Sequence, residues 1–489
     1  MPEALKENAQ KPERSFKKMP EPVVSGFTWT DGSQEIELET IAQHIEITEN
    51  DGEPIGSMFT ISYLKKDAQE VRPVTFCFNG GPGSASYIIN IGGIGPKCVM
   101  PCGDKHIGPA PYALEMNEYS LIATSDLVFI DALGTGWSRL ADGVKGKRAY
   151  SLDKDAECFS RCIAAWLEKT GRWNSPLYLF GESYGTTRNA VLIGQLAQRG
   201  IDLNGVIMLS ALFDWSATIP GNDANYIQLF PTMAAIAQYH GKGAYVNELT
   251  SDELFDRALE FAEDALAPAL LKGDRLDADR ESELAQLMSQ FIGLTSSYIA
   301  AKHLRIELTD FRQELLRDKG KVVGRLDGRF SFEAGNFLQT SSEGISEEDP
   351  SDTCTSSAWA AGFRHHVKHD LNYSNSLPYN TSAWETIGMN WIHDHTSAGV
   401  EWKSHTPNVA YDLAMSMRHN PDMKVLILGG RYDMATPFLG PIEDLARMYL
   451  SDEIKSNLEF KLYDSGHMIY VNRDAFKQMA ADVEEFYKA

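Results

Sequence analysis

Six short apolar segments, each ending at a glycine or a polar residue, are the feature that most restricts the possible folds of this 489-residue chain. Near-continuous apolar strands are typical of a sheet that is buried on both faces, and such sheets are mostly parallel. The residues between several of these segments have helical patterns, as an alternation of strands and helices requires. The sequence therefore predicts an α/β fold with a mostly parallel central sheet. The six segments are VTFCFNGG, DLVFIDALG, LYLFGES, GVIMLSA, KVLILGGRYD and LEFKLYDSGH.

The alternation of strands and helices is interrupted after Asp214. From Thr250 to Lys319 the chain is rich in Glu, Asp, Ala, Leu and Arg at helical spacing, and a capping box opens this stretch. We therefore predict that residues 215–420 form a largely helical insertion in the α/β core, which would act as a lid over a substrate-binding cleft. The core is then formed by residues 26–214 and 421–489.

Two further segments are predicted near the amino terminus. Residues 1–25 are charged and interrupted by prolines, which predicts a disordered leader. Between Ile36 and Leu64, alternating apolar and polar residues flank an Asp51-Gly52 turn. This arrangement favours an antiparallel β-hairpin.

The charge of the chain excludes some partners. Its 45 basic and 68 acidic residues give a net charge of −23, which repels phosphate backbones and anionic lipid. We predict no nucleic-acid partner. The apolar runs are well short of the roughly 18 residues that a membrane-spanning helix needs, so we also predict no membrane partner.

The amino-terminal residues and the cysteines bear on the compartment. No apolar run that could serve in a secretion signal precedes the hairpin, so we expect a cytoplasmic protein, with secretion from a longer precursor as the alternative. Six cysteines would then be free thiols. Cys158 and Cys162 lie four residues apart in a predicted helix, where the bridging geometry is unsuitable and buried packing is expected.

The motif Gly181-Glu182-Ser183-Tyr184-Gly185 fits G-x-S-x-G, the nucleophile elbow between a strand and a helix. Small residues are needed two positions before and after the serine, because the chain turns sharply there. The segment PLYLF before the motif is a good buried strand, and TTRNAVLIGQLAQ after it is a good helix. We therefore predict that Ser183 is a nucleophile; an ordinary serine in a glycine turn is the alternative.

A serine hydroxyl needs a positioned base, and in this arrangement an acid and then a histidine follow on later strand ends. Asp433 follows KVLILGGRY and His467 follows LEFKLYDSG. The ordered set Ser183, Asp433 and His467 predicts a catalytic triad. A tetrahedral intermediate also needs fixed hydrogen-bond donors. One should be the backbone N–H of Tyr184, and the second should come from the glycines of VTFCFNGGPGSAS.

Four motifs together resemble the serine carboxypeptidases, an α/β-hydrolase-fold family that removes carboxy-terminal residues from peptides. They are FNGGPGSASYIINIGGIGP, GESYG, GGRYDMATP and GHM, in family order from Asn79 to Met468. The segment DALGTGWSR is also similar to the family. The resemblance implies the same triad, and an oxyanion hole formed by the backbone N–H groups of Gly81 and Tyr184.

The resemblance also implies how a substrate's free carboxylate is bound. Asn79, the backbone of Gly80 and Glu182 would hold it, and Met468 would form a wall of the cleft. The family usually has a second glutamate fourteen residues after this asparagine, where this chain has Gly93. Two like charges raise one another's proton affinity, so the pKa of a lone Glu182 is expected to be less raised than that of one glutamate of a pair. We therefore expect a pH optimum closer to neutral than is usual in the family.

Other positions depart from the family as well. Ser84 replaces the cysteine expected after Pro-Gly, and Thr186-Thr187-Arg188 replaces glycine, a basic residue and tyrosine. The disulfide pattern of secreted members is therefore not reproduced. Substrate preference beyond the terminal carboxylate does not carry over.

No cofactor or metal is predicted. Cys98 and Cys102 lack a second pair at zinc-binding spacing. Five histidines in FRHHVKHD and WIHDHT lack an H-E-x-x-H pattern, so exposed or packed side chains are expected. These are His365, His366, His369, His393 and His395.

The sequence thus predicts a serine-type carboxypeptidase that acts on peptides with a free carboxyl terminus. An esterase or acyltransferase with the same triad is the first alternative, because the same groups serve ester carbonyls. A non-catalytic binding protein that retains the fold is the second.

Overall fold

A computed structural model describes residues 14–68, 71–100, 103, 105–219, 221–334 and 349–488. The strands are β1 Val23–Thr30, β2 Glu35–Thr48, β3 Pro54–Lys65, β4 Val74–Phe78, β5 Lys97–Cys98, β6 Glu115–Met116, β7 Asp126–Ile130, β8 Arg139–Leu140, β9 Leu177–Glu182, β10 Gly205–Leu209, β11 Lys321–Val323, β12 Ser331–Glu333, β13 Lys424–Gly430 and β14 Leu458–Tyr463. The α-helices are α1 Leu152–Thr170, α2 Tyr184–Ala197, α3 Ala224–Tyr239, α4 Ser251–Phe261, α5 Ala267–Lys272, α6 Ala278–Ile292, α7 Ser296–Ala301, α8 Leu308–Glu314, α9 Pro350–His369, α10 Ala410–His419, α11 Leu439–Ala446, α12 Asp452–Lys455 and α13 Arg473–Lys488.

The central sheet has the strand order β1-β2-β3-β7-β4-β9-β10-β13-β14, with β8 paired to β3. The six strands from β7 to β14 are parallel to their neighbours in that order. These are the six segments that the sequence predicts as strands, so the mostly parallel sheet is confirmed. β2 and β3 pair antiparallel across the Asp51-Gly52 turn, which confirms the hairpin.

Apolar clusters fill both faces of the sheet, which explains why its parallel strands read as near-continuous apolar runs. One cluster includes the buried faces of α1, α2 and α10. The other includes those of α9 and α13. Because parallel strands all end at one edge, the residues that follow β4, β9, β13 and β14 converge there.

A third apolar cluster belongs to the chain between β10 and β13. It is built from α3 to α8 and also contains Tyr432 and Met434, which flank Asp433. α4 begins with the capping box that the sequence predicts, in which Thr250 and Glu253 bond each other's backbone. α10 also lies in this part of the chain and packs against α2 of the core.

The predicted leader and the predicted lack of a membrane-spanning helix both concern residues that are only partly described. Of the segment predicted to be a disordered leader, the structure describes only residues 14–25. Ser15 forms a bridge with Asp142, and β1 begins at Val23. None of the helices in the described ranges is long and apolar enough to cross a membrane.

Candidate active site

Ser183 lies at a sharp turn between β9 and α2. Its backbone angles are φ 59° and ψ −128°, a conformation that non-glycine residues rarely adopt. A Cβ on Gly181 would lie 2.5 Å from the Gly185 carbonyl oxygen, so the chain can close this turn only with glycine there. Ser183 is partly exposed, whereas Glu182 and Tyr184 on either side are buried. The geometry is that of the predicted nucleophile elbow.

The backbone around Ser183 is fixed by its neighbours. Its N–H donates to the Leu209 carbonyl oxygen at the end of β10, at 2.9 Å. Its own carbonyl oxygen accepts from the Thr186 hydroxyl at 2.7 Å. Ser210, which follows Leu209 at the end of β10, donates its hydroxyl to the His467 carbonyl oxygen at 2.6 Å. The end of β10 therefore links the serine turn to the histidine loop.

His467 and Asp433 form a buried pair beyond β14 and β13. The His467 Nδ1 lies 2.7 Å from Asp433 Oδ2. The same carboxylate accepts hydrogen bonds from the Thr436 hydroxyl and from the backbone N–H groups of Ala435 and Thr436, at 2.6, 2.8 and 3.1 Å. These donors hold the carboxylate in one orientation, and it in turn orients the imidazole ring.

The electrostatics of the pair favour a protonated imidazole. Burial by itself lowers the pKa of His467, but the adjacent Asp433 carboxylate and its hydrogen bond raise that pKa above its ordinary value overall. Such a histidine is a better proton acceptor than a free one.

Gly80 lies against the elbow, and Gly81 follows it in the chain. A Cβ on Gly80 would be 2.5 Å from the Tyr184 backbone nitrogen, so only glycine allows the two segments to approach this closely. Gly81 has φ 104° and is exposed. Tyr184 is the first residue of α2, and N–H groups in the first helical turn have no partner within the helix. The Tyr184 N–H thus lies beside Gly80, the residue that precedes the other predicted oxyanion donor, Gly81.

Asn79 and Glu182 are hydrogen-bonded to each other in the interior. The Asn79 Nδ2 donates to Glu182 Oε1 at 3.0 Å, and its Oδ1 accepts from the Ile89 N–H at 3.0 Å. The second Glu182 oxygen, Oε2, accepts from the Tyr470 hydroxyl at 2.7 Å. Burial raises the pKa of Glu182 to about 7, although His467 and both hydrogen bonds favour the charged form. The pKa of Glu182 is thus strongly raised although position 93 carries no second carboxylate.

Met468 is nearly buried and packs into the apolar cluster that covers the α9 side of the sheet. The structure thus places Met468 directly after His467 with its side chain in the core.

Three residues near the site, Tyr470, Arg188 and Asp131, were not predicted from the sequence. Tyr470 bonds Glu182, as described. Arg188 is fully buried, donates from Nε to Asp155 Oδ2 at 2.6 Å and from Nη1 to the Asn79 carbonyl oxygen at 2.9 Å. Asp131 accepts from the Ser86 N–H at 2.8 Å, in the loop that follows Asn79. The only feature of the sequence that singled out Arg188 was the difference from the family at Thr186-Thr187-Arg188.

Two of the histidines considered as metal ligands, His366 and His395, have other partners. His366 bonds Asp370 at 2.7 Å and the Tyr63 hydroxyl at 2.9 Å. His395 lies between Asp153 and Asp412, at 2.5 and 3.1 Å. Within the described ranges no group of three or more His, Cys, Asp or Glu side chains could hold a metal ion. Cys102 lies outside those ranges, and the five described cysteines are free thiols.

The fold also resembles known structures. Kex1(delta)p, a prohormone-processing carboxypeptidase from Saccharomyces cerevisiae, matches with a TM-score of 0.53 and 16% identity, over 92% of this chain and 91% of that chain. A proline iminopeptidase from Mycobacterium smegmatis gives a TM-score of 0.39 and 11% identity, over 91% and 98% of the two chains. No protein with a curated description matches the sequence.

The strand order, the turn at Ser183 and the Kex1 likeness define the class, an α/β hydrolase, as predicted. The sequence of residues 32–468 matches the serine carboxypeptidase family. The chain therefore belongs to that family and is a peptide-cleaving hydrolase, which confirms the resemblance carried by the four motifs.

Proposed function

We propose that this serine carboxypeptidase hydrolyses the last peptide bond of peptides with a free carboxyl terminus, through Ser183, His467 and Asp433. The orientation of the imidazole supports this assignment. Because His467 Nδ1 is bonded to Asp433, Nε2 is the nitrogen free to accept the Ser183 proton. The strained turn places the partly exposed Ser183 at the carboxyl end of β9, where a substrate carbonyl can approach.

The reaction then has two halves. Ser183 Oγ attacks the last peptide carbonyl while His467 takes its proton, and the backbone N–H groups of Gly81 and Tyr184 stabilise the resulting oxyanion. Collapse breaks the C–N bond, and His467 gives the proton to the leaving amine of the terminal residue. Water, with His467 as base, then attacks the acyl-enzyme and releases the shortened peptide and free Ser183.

Selection of the terminal carboxylate is assigned to Asn79, the Gly80 backbone and Glu182. The observation that carries this proposal is the buried Glu182, which directly precedes the nucleophile and has a pKa of about 7. A carboxylate can accept a hydrogen bond from another carboxyl group only when that group is protonated. Glu182 remains protonated well above the ordinary pH range of a glutamate, so it can donate to a substrate carboxylate near neutral pH.

The test compares a panel of amino-blocked dipeptides with their carboxy-amidated counterparts. We expect cleavage of the free acids and at least about 100-fold slower cleavage of the amides, because a neutral amide removes the charge-assisted contact. Ser183→Ala should abolish both reactions. Equal rates on acids and amides, or turnover of simple esters only, would instead support the esterase or acyltransferase alternative.

The binding-protein alternative has a separate test. A fluorophosphonate probe forms a covalent bond only with an activated serine. We expect labelling of the wild type and none of Ser183→Ala; equal labelling of the two, or none of either, would favour a binding role. The net charge of −23 supports the further proposal that nucleic acids and anionic membranes are not partners.

A further inference from the structure

Tyr470 belongs to a short turn, Ile469–Val471, that follows His467. Its side chain is fully buried, and its hydroxyl donates to Glu182 Oε2 at 2.7 Å. The ring is enclosed by other aromatic side chains: the centroid of Trp359 lies 5.9 Å away and that of Phe476 lies 6.3 Å away. A ring packed in this way has one orientation, so the hydroxyl has a fixed position.

The ring of Tyr470 also fills the space beside Gly93. A Cβ on Gly93 would lie 3.1 Å from both Cδ1 and Cε1 of the ring, tighter than ordinary contact. A larger side chain at position 93 would therefore have to displace the tyrosine. The absence of a side chain at Gly93 and the presence of the Tyr470 ring are two parts of one arrangement.

Each oxygen of Glu182 has one fixed donor. Asn79 Nδ2 donates to Oε1 and the Tyr470 hydroxyl donates to Oε2. Two other charged groups act on this carboxyl: His467 favours its charged form and Asp433 opposes it. Besides Glu182, Tyr87 is a titratable group that raises the pKa of Tyr470. Because burial raises the pKa of Tyr470 well above its ordinary value, its hydroxyl is a donor at every working pH.

We propose that Tyr470 is a positioning residue for recognition of the substrate's terminal carboxylate: it fixes Glu182 from the side that Gly93 leaves open, as a neutral donor in place of a second acid. This inference rests on the proposed function. The inference adds to the proposed function that the Tyr470 hydroxyl holds Glu182 in place. It also adds that recognition of the terminal carboxylate depends on the protonation of Glu182 alone.

The Tyr470 hydroxyl changes the pKa of Glu182. A donor to the charged form of a carboxyl favours that form, so the Tyr470 hydrogen bond lowers the pKa of Glu182. Removing the hydroxyl therefore moves protonation of Glu182 to higher pH. In the wild type we expect KM for a free-acid peptide to rise as pH passes about 7, where Glu182 loses its proton. In Tyr470→Phe the same rise should occur at higher pH, by roughly one unit.

The experiment measures kcat and KM between pH 5 and 10, about the range that these groups span. It compares wild type, Tyr470→Phe and Tyr463→Phe on a blocked dipeptide acid and on an activated ester that has no terminal carboxylate. Tyr463→Phe is the matched control, because the Tyr463 hydroxyl likewise donates to a carboxylate at 2.7 Å, but to that of Asp482 in α13, which supplies no predicted site residue. Only Tyr470→Phe should shift the KM profile for the acid, with little change in kcat on the ester.

Three outcomes overturn the inference. These are an unshifted KM profile in Tyr470→Phe, the same shift in Tyr463→Phe, and a parallel loss of kcat on the ester, which would indicate a general disturbance of the site. Failure of the proposed function has a different signature, since the wild type would then cleave the dipeptide acid no better than its amide.

Discussion

At the scale of single residues, the proposed mechanism gives His467 and Glu182 opposite protonation states. In that mechanism His467 is neutral when it takes the serine proton, while Glu182 is protonated when it binds a substrate carboxylate. The pKa of His467 is raised above its ordinary value and that of Glu182 is raised to about 7. We therefore expect kcat/KM on a free-acid peptide to follow a bell-shaped curve with its maximum close to neutral pH. A maximum near about pH 4 to 5 would mean that another group performs the role given to Glu182.

Arg188 is a second residue whose effect can be measured. It pairs with Asp155 in the interior and holds the Asn79 carbonyl oxygen. Arg188→Met would leave a buried carboxylate without a partner, so we expect a loss of about 3 kcal/mol in the free energy of unfolding. The double variant Asp155→Leu, Arg188→Met should recover much of it, because neither charge remains. Denaturant unfolding measures both; a single variant within about 1 kcal/mol of wild type would contradict the argument.

The sequence predicted some of these residues and missed others for a physical reason. Ser183, Asp433 and His467 each follow a strand that is visible in the local apolar pattern. Tyr470 contacts Glu182 across 288 positions of the chain, and Arg188 contacts Asn79 across 109. Contacts of this kind depend on the packing of the whole fold and leave no periodic signal.

At the scale of elements, the two glycines of the β9–α2 turn have different surroundings. A Cβ on Gly181 would meet the Gly185 carbonyl oxygen at 2.5 Å and Asn189 Nδ2 at 2.6 Å. A Cβ on Gly185 would lie 3.2 Å from the Phe78 carbonyl oxygen, which a small shift can relieve. We therefore expect Gly181→Ala to lower kcat/KM by about 100-fold, because the serine moves, and Gly185→Ala to have a much smaller effect.

The measurement combines kcat/KM on a free-acid peptide with the rate of fluorophosphonate labelling. A displaced serine should lower both in Gly181→Ala. Equal losses of kcat/KM and of labelling rate in the two alanine variants would contradict the prediction, because the turn would then respond to a methyl group in the same way at both positions.

The elements differ in how far the sequence predicts them. The parallel strands and the β2–β3 hairpin were predicted because their apolar patterns are local. The segment around Asn380 lies within the predicted insertion, residues 215–420, and the sequence predicts no contact for it. In the structure Thr381 and Ala383 exchange backbone hydrogen bonds with Ala85 and Gly83, at 3.1 and 2.7 Å, so this segment lies against the loop after β4. Backbone pairing between two irregular segments has no side-chain pattern that could predict it.

At the scale of the whole molecule, His395 joins three parts of the chain that meet on one face of the sheet. Its loop is tied to Asp153 at the start of α1 and to Asp412 in α10. Burial alone would lower the pKa of His395, but the two carboxylates raise it to about 9 from an ordinary 6.5. A pKa raised by folding gives a stabilisation that is fully present below the unfolded value and disappears as pH rises through the folded value.

The stability of the fold should therefore depend on pH through this residue. Between about pH 6.5 and 9 the wild type should lose roughly 3 kcal/mol of unfolding free energy relative to its His395→Gln variant, whose amide does not titrate. Urea unfolding of both proteins across this range gives the difference directly. The comparison isolates His395, because every other titrating group is common to the two proteins. A constant difference from pH 6 to 10 would mean that His395 is neutral in the fold and that the two carboxylates do not hold it as an ion pair.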